Sequence, residues 1–252
     1  MVVRRRRSAA SDRLGESGCP SRGVIAIVRD MTDHISAQQF RESDGVEDWR
    51  VLSEGACCLF RTGSFAASTR FVAAIGERIG IDDPHPDIDV RRDGVTVRLI
   101  TITGDYFGMS QADVELARRI SALARDHGLL ADPSGVQTLL VVPGAPRIAE
   151  IVPFWRAVLG YEPRGDSPEE DLVDPRDRGP AFWFEQMAAP RPDGGGAIHL
   201  AIWVPYEQAE ARVAAGLAAG GRLVRDDHAP AWWTLADAAG NEADIATTHS
   251  RD

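Results

Sequence analysis

One pattern, a strand followed by a helix followed by further strands, occurs twice between Val136 and Ala246. In the first pass, residues 136–142 (VQTLLVV) are extended and apolar. Residues 148–160 (IAEIVPFWRAVLG) carry apolar side chains at helical spacing and end on glycine, and residues 181–187 (AFWFEQM) return to a strand. In the second, residues 197–205 (AIHLAIWVP) form the strand, an Ala-rich helix spans 207–219, and further strands end in 240–246 (GNEADIA). One copy cannot bury its own apolar face. Two copies are therefore expected to face each other across a shared concave sheet, a natural site for a small ligand.

Residues 31–130 follow a different order. Ser36 caps a short helix, and WRVLSEGACCLFRTGSF is two runs separated by the turn formers Ser53, Glu54 and Gly55, which reads as a β-hairpin. Phe65, Ala66, Phe71, Val72, Ile75 and Ile79 recur at helical spacing up to Gly80, a natural stop. Two prolines make residues 82–89 (DDPHPDID) a loop, after which Val95, Val97 and Leu99 alternate as a half-buried strand. Ser110 opens a helix to Leu130, with Asp113 three residues on in a capping arrangement. This order predicts an antiparallel sheet with helices on one face. Residues 131–135, rich in Asp, Pro, Ser and Gly, read as a linker, so a domain at 31–130 precedes one at 136–252, both of the α+β class.

Charge and composition narrow the partners. With 38 Asp and Glu against 28 Lys and Arg, the formal net charge is -10, which opposes general attraction to nucleic acid or anionic lipid. No apolar run approaches the roughly 20 residues needed to cross a bilayer. Of the three cysteines, Cys19, Cys57 and Cys58, the last two are adjacent, where a disulfide is strained, so a reduced cytoplasmic protein is expected. Residues 1–30 hold four consecutive arginines with no apolar segment behind them and read as a solvated extension, dispensable if the chain starts at Met31.

The run Pro84-His85-Pro86-Asp87, the strand Val95-Thr96-Val97-Arg98-Leu99 and GMSQADVELARRI at 108–120 resemble the pterin-4a-carbinolamine dehydratase family over residues 35–130. The resemblance implies loss of water from a 4a-hydroxytetrahydropterin and assembly as a homodimer or higher homo-oligomer. It makes His85 the acid–base residue, with Asp82 or Asp83 as partner, and places Pro86, Asp87, Thr96 and Asp113 at the substrate. The family carries three histidines where this chain reads Pro84, His85 and Thr96.

Residues 136–246, with FWRAVLGY at 154–161, the His199 strand and the turn before the last strand, resemble the glyoxalase-like branch of the vicinal oxygen chelate superfamily. The resemblance implies paired βαβββ modules. In its metal-using members a divalent ion is held by one ligand from each of four strands, here Gln137, Glu185, His199 and Asp244, with Glu242 as a neighbouring substitute. Trp232 and Trp233 are candidates for the ligand pocket, and in a strand they must point to opposite faces. Three function classes follow: a pterin hydro-lyase, a first domain that only binds or oligomerises while the second works, and a drug-sequestering module of the bleomycin-resistance kind.

Overall fold

The computed structural model describes residues 33–53, 55–79, 86–189, 198–236 and 242–249. The expectations for residues 1–30 and for Asp82, Asp83 and His85 lie outside the described residues.

The first half runs β1 (His34–Ile35), α1 (Ala37–Arg41), β2 (Arg50–Leu52), β3 (Gly55–Arg61), α2 (Phe65–Ile79), β4 (Asp87–Val90), β5 (Gly94–Leu99), β6 (Thr101–Ile102), β7 (Phe107–Ser110), α3 (Gln111–Asp126) and β8 (Leu130–Ala131). Ser36 caps α1, as the sequence predicts, and Gln39 completes a capping box with it. The main sheet has the order β2-β3-β5-β4, antiparallel throughout, with β8 added to β3. In β5 the alternation is complete: Val95, Val97 and Leu99 are fully buried, while Thr96 and Arg98 face the other side. Under the buried face, α2 and α3 pack Phe71, Ile75, Val114 and Ile120 against Phe60. β1, β7 and β6 form a small separate sheet.

α3 ends four residues short of Leu130. Gly128 takes the left-handed conformation (φ 67°) and turns the chain back, so Leu130 and Ala131 pair with β3 instead of extending the helix. Residues 131–135, expected as a linker, are tied to this sheet. The Asp132 N–H donates to the Leu59 carbonyl at 2.7 Å, and its carboxylate meets Arg61 at 2.7 Å.

The second half comprises β9 (Thr138–Ala145), α4 (Val152–Leu159), β10 (Glu162–Pro163), β11 (Asp171–Val173), β12 (Ala181–Trp183) and β13 (Glu185–Gln186). Its second copy is β14 (Ile198–Trp203), α5 (Tyr206–Ala218), β15 (Arg222–Arg225), β16 (Trp232–Ala236) and β17 (Glu242–Ala246). The expected repeat is present. Its sheet order is β10-β11-β12-β9-β14-β17-β16-β15, with β12 parallel to β9 in one copy and β17 parallel to β14 in the other. The copies meet where β9 and β14 pair antiparallel. α4 starts later than the periodicity suggests, because Pro153 sits in its first turn and residues 148–150 form a separate 3₁₀ turn; Gly160 (φ 68°) ends it.

The described residues hold together as one unit. Leu52 and Cys57, on the outer face of the first sheet, are buried against Val136, Leu140, Ala201, Trp203 and Ala246. At the chain's end, Arg41 Nη1 donates to Thr248 Oγ1 at 2.7 Å. Cys57 and Cys58 are free thiols, and burial pushes Cys57 up to about 11 and Cys58 up as well. Among the described residues no helix is long and apolar enough to cross a membrane.

Candidate functional site

Among the described residues, polar side chains line a cavity in each half of the chain. The first, of about 790 Å³, lies on the outer face of the first sheet; Pro86, Asp87, Thr96 and Arg98 form its floor, and Arg164, Asp174, Asp177 and Arg178 of the second half face them. Asp87 and Arg98 are cross-strand partners, so the Arg98 Nη1 comes within 3.5 Å of Asp87 Oδ2. The same nitrogen donates to the Asp177 carboxylate from the opposite side of the cavity.

The roof over this cavity is built. The Asp174 carboxylate accepts the backbone N–H groups of Arg176 (2.9 Å), Arg178 (3.2 Å) and Gly179 (3.0 Å), which hold its carboxyl below the usual range. A Cβ on Gly179 would overlap the Tyr161 hydroxyl, and Asp177 occupies the left-handed region (φ 49°). Arg164, almost buried, bonds Asp166 at 2.7 Å and Asp171 at 3.3 Å. Its guanidinium lies 5.1 Å from the ring centre of Phe107 in the first half and 5.6 Å from that of Trp183 in the second.

Asp113 is elsewhere. It is 1% exposed at the start of α3, where its Oδ2 accepts from the Ser110 N–H and the Thr101 hydroxyl, both at 2.7 Å. Helix capping is its observed role.

The second cavity, of about 590 Å³, is the interior of the cup. His199 Nε2 stands 3.2 Å from Asp244 Oδ2, and the Thr234 hydroxyl donates to Asp244 Oδ1 at 2.6 Å. The bond to Asp244 raises the His199 pKa above its ordinary value against the opposing effect of burial; the charges of Asp244, Glu185 and Glu242 act in the same direction as the bond. Trp232 lines the cup with His228 stacked on it at 4.0 Å, whereas Trp233 packs on the other side of the sheet near Val204, Ala209 and Ile245. Leu140 and Trp183 line both cavities and so form a shared wall.

The four positions matched to metal ligands do not converge. Glu185, His199 and Asp244 line the cup, but Gln137 lies outside it, its Oε1 accepting from Arg212 at 3.4 Å. β9 offers Leu140 and Val142 to the interior, with Val142 directly opposite His199. Among the described residues no three His, Cys, Asp or Glu side chains are grouped to hold an ion. These donors do not fit a site with one ligand from each of four strands.

Arg98, Arg164, Asp174 and Asp177 were not singled out from the sequence. Arg98 was within reach, two positions from Thr96 and so on the same face of its strand. The other three belong to the opposite half of the chain, and no local pattern connects them to the first sheet.

The chain thus joins a helix-backed antiparallel sheet to a two-copy cup, with a cavity on the outer face of the first and one inside the second. The pterin 4 alpha carbinolamine dehydratase family matches residues 30–123, and a glyoxalase-like domain matches residues 139–246. A protein of Mycobacterium leprae, named as a pterin-4-alpha-carbinolamine dehydratase by inference, is 32% identical over 81 residues, 32% of this chain and 84% of its own length. One of Acidobacterium capsulatum, named in the same way, is 39% identical over 75 residues, 30% of this chain and 79% of its own. A solved glyoxalase/bleomycin resistance protein/dioxygenase superfamily member from Vibrio splendidus 12B01 aligns with 44% of this chain and 99% of its own, at 16% identity and a TM-score of 0.30. The chain belongs to the pterin-4a-carbinolamine dehydratase family through its first half and carries a glyoxalase-like domain in its second.

Proposed function

We propose that the chain is a hydro-lyase that removes water from a 4a-hydroxytetrahydropterin of the tetrahydrobiopterin type, in the cavity on the outer face of the first sheet. One observation carries this reading: Pro86, Asp87 and Thr96, three positions matched to the family's substrate site, line a single cavity of about 790 Å³. That volume suits a small bicyclic ligand, since such pockets span roughly 300–1,000 Å³. Dehydration needs a proton delivered to the departing hydroxyl and one taken from the ring nitrogen. His85, adjoining Pro86, is the acid–base group in this reading, with Asp82 or Asp83 as its partner. Thr96 can hydrogen-bond where the family has a histidine, but it cannot titrate near neutrality. The working form is a homo-oligomer in the cytoplasm, which light scattering and localisation would test separately.

The direct test is the rate of water loss from a 4a-hydroxytetrahydropterin. His85→Ala is expected to lower kcat on the order of 10²-fold or more, the usual worth of a positioned acid–base group. An unchanged rate removes His85 from the mechanism.

The His199–Asp244 pair favours a second reading, in which the cup binds or transforms a small molecule and the first half serves as a binding or oligomerisation unit. Under it, His199→Ala abolishes ligand binding or turnover in the cup and leaves pterin chemistry untouched. A drug-sequestering role would show as tight binding without turnover.

A further inference from the structure

We infer that the first-sheet cavity is completed in cis by the glyoxalase-like half, with Asp177 positioning Arg98 against the bound pterin. This rests on the pterin reading above. An antiparallel sheet backed by helices has one free face, and any ligand lying on it stays in water unless something covers it. Here the cover belongs to the same chain. The cavity floor is β4 and β5, and the residues facing it come from the segment between β11 and β12 and from Arg164.

Arg98 is the element both sides share. Its long side chain projects from β5 beside Thr96, and fixing it costs rotamer freedom. Two carboxylates offset that cost, Asp87 from the neighbouring strand and Asp177 from the roof. Both contacts use Nη1, which leaves the rest of the guanidinium fork available to an oxygen acceptor on the ligand, such as the 4-oxo group of a pterin.

The roof is organised well enough to hold Asp177 in place. Asp174 gathers three backbone N–H groups of the segment that carries it, and Gly179 lets that segment close on Tyr161. Arg164 ties the roof to the floor's side of the molecule through Phe107. Preorganisation of this kind spares the ligand the cost of ordering the site when it binds. The first half alone would lack both the cover and the second anchor of Arg98, so this chain's substrate range is set partly by its second domain.

The test uses the full chain. Because Asp177 has φ 49°, alanine would strain the turn, whereas glycine and asparagine tolerate it. Asp177→Gly removes the anchor and Asp177→Asn removes only its charge. Binding of 7,8-dihydrobiopterin and turnover of a 4a-hydroxytetrahydropterin are measured alongside the thermal midpoint. The expected result is a rise in Kd and KM on the order of 10-fold for Asp177→Gly, a smaller rise for Asp177→Asn, kcat within about two-fold, and an unchanged midpoint. If the glycine variant lowers the midpoint, the asparagine variant decides. Wild-type Kd and KM in both variants would overturn the inference while leaving pterin chemistry standing, and so would a loss confined to kcat. A wild-type chain that neither binds nor turns over the pterins overturns the pterin reading and this inference with it.

Discussion

The two cavities are closed by opposite means. The cup forms where two copies of one unit meet at β9 and β14, and the residues that line it, from Leu140 to Ala246, all belong to the second half; Leu52 and Cys57 of the first half only pack behind Leu140, Trp203 and Ala246. The first-sheet cavity has a floor of its own and a roof taken from the other half. Their chemistry differs accordingly. The borrowed roof is joined to the floor through an arginine held between carboxylates, whereas the cup keeps an imidazole beside a carboxylate within a single sheet. A folded unit that encloses its own space can place charge internally; one that relies on a neighbour needs contacts that cross the boundary.

The apolar cluster shared by the two halves should make them unfold together. Trp203 is 3% exposed and stands where the cup meets the first sheet, so Trp203→Ala is expected to cost about 3–5 kcal/mol, the usual range for emptying a buried aromatic site. Urea unfolding followed by hydrogen exchange is the measurement. Because Leu52 and Cys57 share that cluster, amides of β3 and β14 should lose protection together. Loss confined to the cup would mean that the halves are independent foldons and that the shared core carries little of the stability.

Much of this architecture was legible in the sequence. The burial of Val95, Val97 and Leu99, the caps at Ser36 and Ser110 and the repeated unit after Val136 all rest on local rules of period and hydrogen bonding. The misjudged ends have equally local causes: Gly128 stops α3 and Pro153 delays α4. The candidate sites were less legible. Gln137 illustrates the limit, because Leu140 and Val142 line the cup and a residue at odd spacing from them falls outside it. Family matching supplied its residue type but not its direction. Asp177 and Arg98 lie 79 positions apart, and neither periodicity nor a motif joins them.

The cup's own chemistry is sharpened by pH. His199 has its folded pKa raised above an ordinary value of 6.5, chiefly by the hydrogen bond it donates to Asp244. The imidazolium–carboxylate pair therefore stabilises the fold fully below pH 6.5, and that contribution is lost as pH rises through the raised folded pKa. Asp244→Asn is expected to bring the His199 titration back down and to flatten the pH dependence of the thermal midpoint above pH 6.5. Imidazole proton shifts followed by NMR would read it. A His199 titration unmoved by the substitution would transfer the effect to Glu185 and Glu242, whose charges act in the same direction.

The smallest effect separates the contacts that join the halves from those that decorate the joint. Arg50 and Glu207 form an ion pair at 2.6 Å across it, with side chains 28% and 50% exposed. Water screens such a pair, and its usual worth is about 0.2–1 kcal/mol. Arg50 also donates to the Glu47 and Trp49 carbonyls, each at 2.9 Å, so Arg50→Ala removes more than the pair, and Glu207→Gln is the cleaner probe. That substitution should lower stability by less than about 1 kcal/mol in urea and by still less at high salt. If it costs as much as Trp203→Ala, charge rather than apolar burial holds the two halves together, and the borrowed roof over the first cavity would loosen with ionic strength.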